Sequence, residues 1–261
     1  MLSIIVLNYN RLKYTKKTIQ NLIDKTTVEH EFIFVDNGSI DGTREYLKRL
    51  EEKNLTNAKK VTCVFNPSNY GVAGGRNSGL RVATGDYLMT IDDDIIVPDK
   101  YDKLLIEACD KIPKLGLVGV CVEPNKPKYV YPVSVRDGVK VRRKDGNLGG
   151  GCLCMPRRAF DRVGYFSPDF AYGGEDCDMH IRMTQIKLIS VYIVPYGKHI
   201  DKRENKAYES LKKHAHNKKS ASYKKIGDNS GKYRKTKNVY IPYREPDIYT
   251  DHYDAVIKGK K

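Results

Sequence analysis

Short apolar runs, each followed by a stretch with helical spacing, fill the first half of this 261-residue chain. LSIIVLN (2–8) precedes residues 11–25, where Leu12, Ile19, Leu22 and Ile23 fall at helical intervals. EFIFVD (31–36) precedes DGTREYLKRLEEK, a helix for which Asp41 is the expected N-cap. VTCVF (61–65) precedes a glycine-rich helix over 71–84, and DYLMTID (86–92) precedes a helix over 99–111 and a strand over 115–122. Strands this short and this apolar are buried on both faces. Alternating with helices, they predict an α/β fold with a mostly parallel, Rossmann-like sheet covered on both sides.

The second half reads differently. KYVYPVSVRDGVKVRR alternates β-branched and charged residues around Asp137-Gly138, which predicts a hairpin. GCLCMP (151–156) and LISVYIV (188–194) are further strands, with helices expected over 157–163 and 174–187 and over about 203–225. With 40% hydrophobic and 30% charged residues the chain can bury a sizeable core. None of the six cysteines forms a C-x-x-C pair, so they read as reduced core thiols of a cytoplasmic protein rather than zinc ligands. No apolar run reaches the roughly 18 residues of a transmembrane span, and LSIIVLN, without a basic n-region or a cleavage site, does not read as a signal peptide. The formal net charge is +15. Residues 202–261 hold 17 Lys/Arg against 7 Asp/Glu, with tyrosines interleaved, a composition that attracts polyanions.

One stretch resists a purely structural reading. MTIDDDIIV sets Asp92, Asp93 and Asp94 in an apolar run, where a carboxylate without a partner costs several kcal/mol. In an extended chain Asp92 and Asp94 face one side and Asp93 the other. Two hard oxygens on one side suit Mg2+ or Mn2+, and a solvated acidic turn is the alternative. Asp36 stands at the carboxyl end of the second strand, where ligands bind in open α/β sheets. It can accept from a nucleobase or a ribose, or merely cap the Asn37-Gly38-Ser39 turn. NPSNYGVAGGRNSG (66–79) is neither a P-loop nor a dinucleotide fingerprint; its glycines allow close backbone approach. Arg76 there can meet a diphosphate or base, or lie on a tightly packed helix. In AYGGEDCDMHIRM (171–183), Asp176 is either a general base or a helix-start carboxylate, and Asp178 reads as structural. His199, after the last strand, can offer a neutral imidazole to the same ion or simply pack.

Taken together, IIVLNYNR, VDNGSIDGT, NYGVAGGRNSGL, GDYLMTIDDDI, GGGCLCMPRRAFDRVGYF and GGEDCDMHIR resemble, in order and spacing, glycosyltransferase family 2 with its GT-A fold. The resemblance covers about residues 1–201, with a nucleotide-sugar half (1–98) and an acceptor half (99–201); residues 202–261 are a basic extension outside it. It implies that Leu7, Asn8, Tyr9 and Asp36 contact the nucleobase and that Asn69 and Arg76 make further nucleotide contacts. Asp92 and Asp93 join the donor contacts, Asp92, Asp94 and His199 hold Mn2+ or Mg2+, and Asp176 is the base of an inverting transfer. The chain has no tryptophan, so the Q-x-x-R-W motif of processive synthases is absent, and one sugar per visit is expected.

The donor implied is a nucleotide-diphosphate sugar, UDP-linked in the first instance. The acceptor is a cell-envelope glycan or a lipid-linked acceptor at a membrane surface. A nucleic-acid acceptor, such as hydroxymethylated bases of viral DNA reached through residues 202–261, competes with it. A sugar nucleotidyltransferase is the alternative of another class. Asn8-Tyr9-Asn10-Arg11, where such enzymes carry a glycine-rich loop, argues against it.

Overall fold

The computed structural model describes residues 1–53, 55, 57–122, 132–142, 148–167 and 174–200. β1 (Leu2–Asn8), α1 (Leu12–Lys25), β2 (His30–Asp36), α2 (Thr43–Glu52), β3 (Lys60–Phe65), α3 (Gly71–Val82) and β4 (Tyr87–Asp92) carry the expected alternation. Next come a two-residue strand β5 (Ile95–Ile96), α4 (Tyr101–Lys111), β6 (Leu115–Gly119) and the hairpin β7 (Val133–Arg136) and β8 (Val139–Arg142). β9 (Cys152–Pro156), α5 (Arg157–Val163), α6 (Glu175–Gln185), β10 (Ile189–Ile193) and β11 (Lys198–His199) follow. The expected helix over about 203–225 and the tail tyrosines lie outside the described residues.

Among the described residues nine strands form one mixed sheet in the order β3-β2-β1-β4-β9-β6-β10-β8-β7. β1 pairs in parallel with both β2 and β4, whereas β9 runs antiparallel between β4 and β6. The period-two alternation of the strands splits the core. Ile4, Val6, Phe32, Phe34, Met89 and Ile91 pack with residues of α1, α2 and α4 on one face. Ile5, Ile33, Val35, Leu88 and Leu153 pack with residues of α3, α5 and α6 on the other. The glycines of α3 set its height above the sheet. A Cβ on Gly79 would fall 2.3 Å from Ile5 Cγ2 and 3.0 Å from Val35 Cγ2, and one on Gly75 would displace the tip of Leu7, so the helix could not sit this close without a shift of the sheet's side chains.

Three local expectations are corrected. Asp41 is not the N-cap of α2: Gly42, at φ 88°, takes that place. Asp41 instead accepts from the Thr43 amide and hydroxyl and from the Leu12 amide, and so joins the starts of two helices. The strand expected over 115–122 ends at Gly119, beyond which the Val120 amide donates to Cys152 O and Cys121 O accepts from the Gly197 amide. The hairpin turn falls at Asp137-Gly138 as expected, both residues at positive φ (46° and 80°); paired positive φ matches the twist of a two-residue hairpin turn. Third, the chain does not stay extended through the aspartates. It leaves β4 at Asp92 and turns at 93–94, so Asp93 and Asp94 do not face opposite sides.

Candidate active site

β1 lies between β2 and β4, and α1 and α3 leave the sheet on opposite faces. A crevice opens at such a switch point, outside the carboxyl ends of the strands. Here it is a cavity of about 210 Å³. Its walls are Leu7 at the end of β1 and Tyr9 after it, Asn37 after β2, Asn69, Gly71 and Val72 around the start of α3, Asp92 at the end of β4 with Asp93 and Asp94 after it, and Arg11 and His199.

Of the residues expected at the nucleotide, Leu7, Tyr9, Asn69, Asp92 and Asp93 reach this cavity. Asn8, Asp36 and Arg76 do not. Asn8 is fully buried, and its Nδ2 donates to the carbonyls of Val6 (2.8 Å) and Val35 (3.1 Å), tying β1 to β2. Asp36, also fully buried, accepts the Ser39 amide at 3.1 Å, which is the turn-capping alternative. Burial pushes its carboxyl above the ordinary range, against the pull of Ser39 and Arg44. The neighbouring Asn37 takes the wall position. Its Nδ2 donates to Asn69 Oδ1 (2.8 Å) and Gly71 O (3.0 Å), and its Oδ1 accepts from Asn66 Nδ2 and the Tyr70 amide. Sequence reasoning passed over Asn37. The available signal was that it directly follows the last residue of a buried strand.

Arg76 is 1% exposed and sits behind the cavity. Its Nη1 donates to Glu175 Oε1 at 2.9 Å; its Nη2 donates to Asp92 Oδ1 at 2.8 Å and to Gly150 O at 2.7 Å. The guanidinium therefore braces two carboxylates and a loop and is not presented to a diphosphate. Gly150 in turn donates its amide to Asp176 Oδ2 at 3.0 Å. Asp176, in the first turn of α6, is thereby held by the same residue whose carbonyl accepts from Arg76, and its Oδ1 accepts from the Cys177 amide at 2.8 Å. Asp178 pairs with Arg182 one turn on (2.8 Å), a structural role.

Cations do meet the acidic stretch, and two of them are arginines: Arg76 on Asp92, and Arg11 Nη1 on Asp93 Oδ1 (3.2 Å) and Asp94 Oδ2 (2.7 Å). Burial pushes Asp93 well above the usual carboxylate range despite Arg11. Burial also opposes the ionisation of Asp94, but the His199 hydrogen bond and the Arg11 charge prevail and hold it below that range. His199 arrives through the small β5–β11 ladder, in which it pairs with Ile95; the Ile200 amide also bonds Asp94 O. Its Nε2 lies 3.1 Å from Asp94 Oδ2.

Among the described residues no three His, Cys, Asp or Glu side chains converge as a metal cage. Asp94 and His199 nevertheless offer an oxygen and an imidazole nitrogen at one point of the cavity wall. That fits an Mn2+ or Mg2+ that completes its shell from phosphate oxygens and water.

Glu175, beside Asp176, is 5% exposed. Burial raises its pKa from the ordinary 4.5 to about 7, with Arg76 opposing and Asp176 adding to the rise. A pKa raised on folding favours the folded state below the unfolded value and loses that contribution as pH climbs through the folded value. Wild-type stability is therefore expected to fall between about pH 4.5 and 7, and Glu175→Gln to flatten that slope. Thermal melts of both proteins across this range check it; parallel profiles would reject the assignment.

These features define the class first. A mannosyltransferase of Pyrobaculum calidifontis in complex with GDP-Man and Mn2+ superposes with a TM-score of 0.61 over 79% of this chain and 59% of that one, at 21% identity. The fold is the GT-A fold of glycosyltransferases. The glycosyl transferase family 2 model matches residues 3–163, and the chain belongs to that family. Asp176 and His199 lie beyond the matched segment. An uncharacterized glycosyltransferase of Haemophilus influenzae is 36% identical over 106 residues, 40% of this chain and 41% of that protein. The poly-beta-1,6-N-acetyl-D-glucosamine synthase of Staphylococcus aureus is 31% identical over 110 residues, 42% of this chain and 26% of that protein. The chain thus spans less than half the length of these curated relatives. Among the described residues no helix is long and apolar enough to cross a membrane.

Proposed function

We propose that this chain is a metal-dependent, inverting glycosyltransferase that moves one sugar from a nucleotide-diphosphate sugar, UDP-linked in the first instance, to an acceptor hydroxyl. The observation that carries the reading is the meeting of Asp94 and His199 in the wall of the switch-point cavity. Leu7 and Tyr9 flank the base, while Asn37 and Asn69 hold the opposite wall in place. Asp94 and His199 would hold Mn2+ or Mg2+, which when bound acts as Lewis acid toward a departing diphosphate. Asp176 takes the proton of the acceptor hydroxyl as that oxygen attacks the anomeric carbon. A single displacement of this kind inverts the configuration.

The acceptor proposed is a cell-envelope glycan or lipid-linked saccharide, supported by the likeness to a poly-N-acetylglucosamine synthase. The concentration of positive charge in residues 202–261 favours one competitor, duplex DNA with hydroxymethylated bases. One panel tests donor and acceptor together. The full chain is incubated with UDP-, GDP- and dTDP-sugars, with Mn2+ or EDTA, and thermal stability and sugar release are followed. One donor should raise the melting temperature and be consumed only with Mn2+. Equal consumption in EDTA would reject metal dependence. Binding to anionic vesicles supports the envelope acceptor, whereas sugar transfer onto modified DNA, with binding that falls steeply with salt, replaces it.

A further inference from the structure

Arg11 has no part in the donor, metal or base assignments above. It follows β1, stands at the N-cap position of α1 and is 8% exposed, yet it reaches the cavity wall. Its guanidinium carbon lies 4.8 Å from the centre of the Tyr14 ring, which fixes its plane. Asp93, which it also meets, is anchored separately by the Thr15 hydroxyl at 3.3 Å, and the Asp93 carbonyl accepts from Thr18 at 2.9 Å.

The telling atom is Asp94 Oδ2. It accepts from Arg11 Nη1 at 2.7 Å and lies 3.1 Å from His199 Nε2. The oxygen best placed to share an ion with the imidazole therefore already accepts from a guanidinium, at a shorter distance than Asp93 does. Arg76 likewise stands on Asp92 while also pairing with Glu175. A free dication entering this corner meets carboxylates already paired with fixed positive charge, and it must either take Asp94 Oδ2 from Arg11 or share it at short range. Like charges repel strongly at such separations in a partly buried site. A nucleoside diphosphate brings its own negative charge and phosphate oxygens, which remove that obstacle.

We propose that Arg11 is a resident counter-ion that keeps the Asp94–His199 pair closed to free divalent metal, so that the ion enters together with the nucleotide diphosphate. The inference rests on the metal dependence proposed above. It makes Arg11 a positioning residue that sets the order of binding, and it assigns the pairing with Asp94 a function beyond packing.

The test is Mn2+ binding to the full chain, followed by the electron paramagnetic resonance of free Mn2+, alone and with UDP or GDP. The wild type should bind Mn2+ weakly alone and at least about tenfold more tightly with one nucleotide, within the usual range of coupling between two ligands. Arg11→Gln should bind Mn2+ alone about tenfold more tightly than wild type, whereas Arg11→Lys, which keeps the charge, should not. Equal Mn2+ affinity of the wild type with and without nucleotide overturns the proposal. That arm needs no variant and so stands even where Arg11→Gln fails to fold. A folded Arg11→Gln that binds Mn2+ no more tightly than wild type also overturns it, and leaves metal dependence intact. Absence of Mn2+ binding in every sample, nucleotide included, removes both the proposal and the metal dependence beneath it.

Discussion

Asp176→Asn is expected to lower the turnover of sugar transfer by about 10²–10⁴-fold, the usual contribution of a positioned general base, and to leave nucleotide-sugar affinity as it was. The substitution is nearly isosteric. Asp176 Oδ2 accepts from the Gly150 amide and Oδ1 from the Cys177 amide at 2.8 Å; an asparagine keeps one of these bonds through its carbonyl oxygen, and the bond to the adjacent Cys177 is the one given up. Asp176 does not line the cavity at the ends of β1 and β4, so the donor has no direct reason to notice the change. What disappears is a basic oxygen able to take a proton. The loss should therefore fall on turnover at saturating donor, with the dissociation constant of the nucleotide sugar, read by calorimetry, unchanged. A variant that turns over normally removes Asp176 from the chemistry. Weakened donor binding with normal turnover would make it a strut of the donor site instead.

The fold was legible because burial on both faces leaves a plain trace in sequence. β1, β2 and β4 read as apolar runs, and the residues of each run divide between the two cores by parity alone. What was not legible is the order of the strands. Nothing local in GCLCMP says that β9 enters antiparallel between β4 and β6, because that choice is made by long-range pairing. The glycines of α3 were open to two readings, and packing against Leu7 and Ile5 accounts for Gly75 and Gly79.

At the site, residue type was easier to read than direction. The acidic stretch did announce a need for cations, but the turn at 93–94 decides which carboxylate meets which partner, and a two-residue departure from a strand has no periodicity to betray it. His199 could be brought to Asp94 only through resemblance, since the ladder that joins β5 to β11 has two residues on each side. Arg76 shows the converse difficulty. A charged residue in a glycine-rich segment suggests a ligand, yet here the nearby carboxylates of Asp92 and Glu175 draw it into the interior.

That interior position carries the largest expected effect on stability. Arg76→Leu leaves Asp92 facing Glu175 without the charge that separates them, and deprives Gly150 O of its donor. Removing one partner from a buried ion network costs about 3–5 kcal/mol, which in a domain of this size lowers the melting temperature by roughly 10 °C. Arg76→Lys should recover only part of this. An ammonium keeps the charge but lacks the flat fork that meets both carboxylates and the carbonyl together. The pH dependence has a definite sign. Glu175 is held near 7 by burial with Arg76 pulling the other way, so without the guanidinium it rises further and stays protonated over a wider range. The penalty for Arg76→Leu should therefore be smaller at pH 5 than at pH 8. Adding Glu175→Gln should then restore part of the loss at pH 8, because an amide beside Asp92 carries no charge to repel. Melts of the single and double variants at the two pH values check the network. A leucine variant that melts with the wild type at pH 8 would mean that Arg76 does not hold the donor-side aspartate and the base-bearing helix together, and Asp176 would have to owe its position to the amides of Gly150 and Cys177.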